Sequence, residues 1–368
     1  MEDQQWIHRI ALSMLKGVGP VHARELVAYA GGVDPLFTDP RLYRSLEKVP
    51  GVGPKILAAL KDSEVLVRAE KELAYVRRER LRMLFYLDAD YPQRLKHASD
   101  PPALLFVKGA GDLDADRCVA VVGTRSPSEH GKRSCEELVT GLKAAGVTII
   151  SGLAYGIDIT AHRAALRNDM PTFAAVAHGL DRLYPGEHQG TARQMLPHGG
   201  LVTEQPSNAN FVPGNFPARN RIIAGLADCT VVVESAGKGG SLITADIANS
   251  YDRDVMAFPG RATDARSEGC NDLIKRNKAA LITGAGDLLQ LMGWQEKPGK
   301  KARQIPLFKD LGPEELLLMN ILQERDRVDI DELCARSKMT QSKVAALLLE
   351  LEFSGAVRAL PGKIYEPA

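Results

Sequence analysis

At 368 residues the chain is too long for one ordinary domain, and two or three are expected. Hydrophobic residues at 45% and charged residues at 25% are those of an ordinary globular protein, and the net charge of +1 excludes bulk attraction to nucleic acid or membrane, so any nucleic-acid site must be a local patch. The five cysteines, Cys118, Cys135, Cys229, Cys270 and Cys334, are scattered and never in C-x-x-C spacing, which argues against a disulfide framework or a zinc site and fits a reducing cytosol.

Met1-Glu2-Asp3-Gln4 lacks the basic and apolar regions of a signal peptide, and no uncharged apolar run approaches the ~20 residues of a membrane helix. A cytoplasmic location without membrane contact is expected. The segment 1–66 holds a degenerate repeat. Gly17-Val18-Gly19-Pro20 is echoed by Gly51-Val52-Gly53-Pro54, and helical spacing resumes after each. Helix, tight glycine turn, helix is a helix-hairpin-helix pattern, with proline suited to the first turn of the second helix. Such a unit either holds a DNA phosphate on its hairpin N–H groups or is a small packing module. Residues 66–80 read as a charged helix with a solvated face.

Leu81 to Tyr86 and Leu104 to Gly109 read as strands. From Cys118 the pattern changes to strand, loop, helix. Apolar strands follow at Val119 to Val122, Val147 to Ile150, Thr172 to Val176, Gly200 to Thr203, Thr230 to Val233 and Val255 to Phe258. Strands apolar throughout, each followed by a helix, predict a parallel sheet covered on both faces, with ligands beyond the strands' carboxyl ends. The fold class is therefore α/β, with this core at 67–295. A Lys-, Pro- and Gly-rich basic linker is expected at 296–310. Three helical patterns and a β-hairpin then predict a winged helix at 311–368. Its recognition helix carries Gln341, Ser342 and Lys343 near its start, sparse for reading a major groove, so protein contact is as good a reading as DNA.

Four loops gather at one sheet edge. They are Gly123-Thr124-Arg125, Ser151 to Asp158, Phe211 to Gly225, and Glu234 to Ala245. The third delivers Phe216, Arg219, Asn220 and Arg221 to a helix mouth, where unpaired N–H groups attract anions. It is either an anion site or a surface loop with paired arginines. No G-x-G-x-x-G or P-loop is present, so neither NAD nor ATP is expected, nor any other cofactor. Asp158 and His162, four apart, are an acid/base pair or else an N-cap and a packed imidazole. His178, His188 and His198 lack metal spacing, so no metal is expected. No catalytic residue is assigned.

These motifs occur together and in order: Gly123-Thr124-Arg125, Ser151 to His162, Gly179-Leu180-Asp181-Arg182-Leu183-Tyr184-Pro185, Phe216 to Gly225, Gly240 to Ala245, and Phe258-Pro259-Gly260. Over roughly 80–290 they resemble the DNA processing protein A family (DprA, also called Smf). The flanks resemble that family's N-terminal SAM-like or helix-hairpin-helix domain and its C-terminal winged helix. The resemblance implies an extended Rossmann-like fold that binds no dinucleotide, and a homodimer of natural transformation, with the helix near Asn271 to Asn277 as the expected dimer surface. It implies binding of single-stranded DNA, its protection, and loading of the RecA recombinase, with the end domains as candidates for duplex DNA or protein contact. Carried over, Arg125 holds a phosphate, Gly123 and Gly152 let the backbone approach it, and Phe216 stacks on a base. Arg219, Asn220 and Arg221 line the pocket with Gly240 and Ser241. Two departures stand out. Pro213 occupies a place where a lysine is expected, which leaves Lys238 as its replacement. Ala177-His178 stands where a small residue and glycine are expected. Alternative readings are a nucleotide-processing hydrolase using Asp158, His162 and Glu234, and a protein-interaction platform.

Overall fold

The computed structural model describes residues 2–48, 51–295, 312–324, 328–354, 356–360 and 363–367. The chain divides into two compact units, Met1–Gln295 and Glu296–Ala368. The basic linker expected at 296–310 lies outside the described residues.

The first unit opens with helices Glu2–Met14, Pro20–Ala30, Pro35–Thr38, Leu42–Leu46, Pro54–Lys61 and Ser63–Arg78. The sequence repeat is a repeat of backbone. Gly17 and Gly51 take φ of +79° and +84°, where a side chain would be strained. Gly19 and Gly53 are extended N-caps, and Pro20 and Pro54 begin the helices that follow. Leu12, Leu15 and Leu26 from the first copy and Leu46, Ile56 and Leu60 from the second share one apolar core. The last helix, Ser63–Arg78, keeps the solvated face expected of its charges at Arg68, Glu70, Lys71, Arg77 and Arg78, with one exception. Glu72 is 4% exposed and accepts hydrogen bonds from the backbone N–H of Ser207 (2.8 Å) and from its hydroxyl.

Nine strands form one sheet: β1 (Arg82–Phe85), β2 (Leu104–Lys108), β3 (Cys118–Val122), β4 (Thr148–Ser151), β5 (Thr172–Ala175), β6 (Gly200–Thr203), β7 (Cys229–Val232), β8 (Asp254–Ala257) and β9 (Ala280–Leu281). Their order is β1-β2-β6-β5-β4-β3-β7-β8-β9. The run from β6 to β9 is parallel, and β1 and β2 extend it as antiparallel strands. Side chains alternate between faces with period two. Val119 and Val121 therefore join Leu138, Val139 and Leu142 of the helix Glu129–Leu142 in one buried layer. Ala120 and Val122 turn the other way, onto Ile222 and Ile223 of the helix Asn215–Leu226. Burial on both faces is why these strands read as unbroken apolar runs.

The second unit is a small three-helix fold with a wing. Helices Pro313–Glu324, Ile330–Ser337 and Gln341–Phe353 pack around Leu318, Leu322, Leu333, Val344 and Leu348. The expected hairpin is β11 (Val357–Leu360) with β12 (Ile364–Pro367), and a two-residue strand, β10 (Val328–Asp329), pairs with β12 as well. The Asp329 side chain caps the middle helix by accepting from Glu332 N–H at 2.8 Å.

No helix among the described residues is long and apolar enough to cross a membrane. Core burial dictates one stability contrast. Leu138 is fully buried and Leu291 is 55% exposed. Leu138→Ala should destabilise the first unit by about 2–5 kcal/mol in urea unfolding, and Leu291→Ala by about 0.5 kcal/mol or less.

Candidate nucleic-acid interface

The strand order reverses between β3 and β7. From β3 the chain steps outward through β4, β5 and β6, then returns to β7 on the other side and continues to β8 and β9. Loops leaving β3 and β7 therefore part company, and a crevice opens beyond their carboxyl ends. A cavity of about 570 Å³ lies there. Its walls include Gly123, Thr124 and Arg125 after β3, Ala154 and Asp158 after β4, and Gly239, Gly240, Ser241 and Ile243 after β7.

The remaining wall is one face of the helix Asn215–Leu226. Phe216, Arg219, Asn220 and Ile223 all line the cavity. Their spacing is i, i+3, i+4, i+7, the single stripe a helix presents to one side. Exposed Arg125 lies across from this stripe, its guanidinium carbon 5.9 Å from the centroid of the Phe216 ring. A cation and an aromatic face thus share the cleft mouth. Gly240 opens the helix Gly240–Ser250, and a Cβ built on it would meet nothing within 4 Å. Its backbone therefore faces open space at a helix start, beside the buried hydroxyl of Ser241.

Arg219 forms the floor and is 6% exposed. Its Nη1 donates to the carbonyls of Gly152 (2.6 Å) and Ala175, at the carboxyl ends of β4 and β5. Burial pulls its pKa down to about 10, opposed by the Asp158 charge, so it stays cationic at neutral pH. Burial pushes the Asp158 carboxyl up, and Arg219 opposes that shift.

Of the residues expected in the site, Arg221 and Gly152 do other work, Lys238 stands outside the cavity, and Gly123 lines it while also serving the packing of the chain. Arg221 sits two positions beyond Arg219, and residues so spaced do not share a helix face. It points away from the cleft, donating to the Asp100 carbonyl and pairing with the half-buried Glu204. Gly152 does not line the cavity; a Cβ there would lie 2.6 Å from both Arg219 Nη1 and Asp158 Oδ2. It is glycine because two buried charges flank its backbone. Gly123 lines the cleft, and a Cβ built on it would lie 2.5 Å from Ile157 Cγ1, so the glycine also serves a close approach within the chain. Lys238 is exposed on the loop ahead of Gly240 and does not line the cavity. Pro213 does line it, as a surface without charge.

The acid/base candidates are engaged elsewhere. Gly156, not Asp158, is the N-cap of the helix Ile157–Arg167. The Asp158 carboxylate accepts from the backbone N–H groups of Gly152 (3.1 Å) and Ala154 (3.4 Å). His162 is fully buried and bonds through Nδ1 to Thr172 Oγ1 at 2.7 Å rather than to Asp158. Glu234 accepts from Ser128 N–H (3.0 Å) and from its hydroxyl, securing the start of the helix Glu129–Leu142. His178 is buried, its Nε2 accepting from Tyr184 N–H at 3.1 Å. Among the described residues no His, Cys, Asp and Glu side chains cluster as a metal site would require.

Two aromatic lining residues were not singled out from sequence. Tyr184 and Phe211 stand beside Phe216, with ring centroids 5.0 Å apart from each other. Both lay inside stretches already marked, and an exposed aromatic next to an arginine-bearing loop was the available signal.

Comparison with known proteins bears on this arrangement. A family model described as DNA recombination-mediator protein A matches residues 82–293, more than half of the chain. The chain belongs to the DNA recombination-mediator protein A family. A second model, the DprA winged helix domain, matches residues 306–363. The Protein Smf of Synechocystis is 30% identical across the full length of both chains. Among solved structures, DNA processing protein A from Streptococcus pneumoniae is 32% identical, covering 74% of this chain and 98% of that one, with a TM-score of 0.57. That of Helicobacter pylori, solved to describe its single-stranded DNA binding mode, is 27% identical over 58% of this chain and 97% of that one, with a TM-score of 0.52. The span matched by the recombination-mediator model contains every strand of the nine-stranded sheet and every lining residue named above.

One family-core residue sets a pH dependence. Burial, reinforced by the nearby His188 and Arg219 charges, lowers the His162 pKa to about 3 from its usual 6.5. The unfolded chain therefore takes up a proton near pH 6.5 that the folded chain refuses. The stabilisation is fully present above that pH and is lost as pH falls towards 3. It should change by up to about 1.4 kcal/mol per pH unit in that window. In chemical unfolding followed across pH, His162→Gln should remove that slope.

Proposed function

We propose that the cleft at the β3/β7 reversal binds single-stranded DNA, and that the protein is a non-catalytic recombination mediator. The observation that carries the reading is the pairing of Arg125 with Phe216 at the cleft mouth, a cation for a phosphate beside a ring for a base. The open backbone at Gly240 adds to the attraction for a polyanion, and the buried Arg219, balanced by Asp158, fixes the helix that carries Phe216. Duplex DNA hides its bases, so a ring able to stack on one favours an unpaired strand. The Helicobacter pylori relative, described by its single-stranded DNA binding mode, supports the same choice.

In this reading the protein shields an incoming strand in transformation and passes it to the RecA recombinase, acting in the cytoplasm as a homodimer. The helix Glu268–Lys275 is its proposed dimer surface. The hairpin repeat and the winged unit supply contacts to duplex DNA or protein. The candidate acids and imidazole are committed to backbone and hydroxyl partners, which disfavours a hydrolase.

Fluorescence anisotropy with labelled oligothymidylate tests the site. Affinity should fall steeply with salt, because phosphate contacts release counterions. Arg125→Ala should weaken binding and flatten that salt dependence by about one counterion. Phe216→Ala should cost about 1–3 kcal/mol. Unchanged affinity in the Arg125→Ala/Phe216→Ala double variant contradicts the assignment.

A further inference from the structure

Large apolar side chains at a protein surface gather where something binds. Tyr155, Tyr184, Phe211, Val212 and Ile243 are 41–48% exposed, and all belong to segments at or beside the cleft. Three of the aromatic rings are held together. Tyr184 meets Phe211 at 5.0 Å and Phe216 at 6.1 Å between centroids, and Phe211 meets Phe216 at 5.4 Å. The three interplanar angles are 68–72°, so the rings meet edge to face with none stacked flat on another, and the exposure of Tyr184 and Phe211 leaves ring surface open to solvent. Flat groups can therefore stack on them.

The cluster is fixed from behind. His178 accepts the backbone N–H of Tyr184, and Arg182 donates to the Ala209 carbonyl at 2.8 Å, joining the Tyr184 and Phe211 segments. Further back, Glu72 holds Ser207 and Arg221 pairs with Glu204. A preformed platform spends little ordering entropy on binding. Its position also matters. Pro213, which brings no charge, lines the cleft between Phe211 and Phe216, and Arg125 stands over the Phe216 ring.

We propose that Tyr184 and Phe211 are base-stacking residues which, with Phe216, hold consecutive unpaired bases. The inference rests on the reading of the cleft as a single-stranded DNA site. The occupant follows from the chemistry side by side: exposed ring faces next to the Arg125 cation suit a chain that alternates flat bases with phosphates. Stacking is tolerant of base identity, because every base has a π face. The platform should thus bind any unpaired sequence but discriminate strongly against a strand without bases.

Two labelled strands of equal length, oligothymidylate and one carrying abasic residues, test this with the full chain. Tyr184→Leu/Phe211→Leu keeps apolar volume and removes the rings. It should weaken oligothymidylate binding about tenfold or more, leave its salt slope unchanged, and leave the abasic strand unaffected. Tyr184→Phe should bind like the parent. Urea unfolding midpoints verify that each variant is folded. If the double variant holds oligothymidylate as well as the parent does while Arg125→Ala fails to, the platform is refuted and the cleft remains the site. Equal losses on both strands also refute stacking. If neither variant loses affinity, the reading of the cleft itself falls.

Discussion

The buried guanidinium of Arg219 is the constraint on which the site depends. Two carbonyls at the carboxyl ends of neighbouring parallel strands, Gly152 and Ala175, find their donor in it. A buried charge left without partners is costly, so the helix Asn215–Leu226 is pinned where these partners are. Pinning Arg219 also places Phe216, one turn earlier, at the mouth of the crevice, and Ile223, one turn later, on its wall. The positive floor and the aromatic lip are consequences of one fixed helix. Asp158 supplies the compensating charge across Gly152, which is why that position has no room for a side chain.

The loop ahead of that helix is fastened by a different set of groups. Arg221 on Glu204, Glu72 on Ser207 and Arg182 on Ala209 secure it from three directions. Glu72 comes from the last N-terminal helix, so the helical region braces the segment that presents Phe211. Salt bridges and buried hydrogen bonds here position a surface and need not add much net stability. Charged residues that look like ligand contacts in the sequence are, in several cases, the scaffold of the contact surface.

Much of this architecture was legible beforehand. Continuous apolar runs at β3, β4, β5 and β7 announced parallel strands buried on both faces, and glycine-bearing loops after each pointed to one edge. The repeated Gly-Val-Gly-Pro turn fixed two backbone copies through glycine's access to positive φ. The winged unit followed from helical periodicity, apart from the two residues of β10, too short to show a period. The errors have physical sources. Arg219 and Arg221 were grouped because they are close in sequence, although helical geometry turns them apart. Gly152 stands outside the cavity, and the atoms that crowd it belong to Asp158 and to Arg219, which is remote from it in sequence. Glu72 was placed on a solvated face because its partner, Ser207, is remote in sequence. Tyr184 is 32 residues from Phe216, so its place beside that ring exists only in three dimensions, whereas Phe211 lies in the same loop.

The central claim is that unpaired DNA lies in the crevice where the strand order reverses. Backbone hydrogen exchange of the full chain, with and without oligothymidylate, tests it most directly. The account predicts slowed exchange at 123–125, 211–220 and 239–241, with the hairpin turns at 17–20 and 51–54 unchanged. Slowing confined to those turns or to the winged unit, with the crevice loops unaffected, would contradict it.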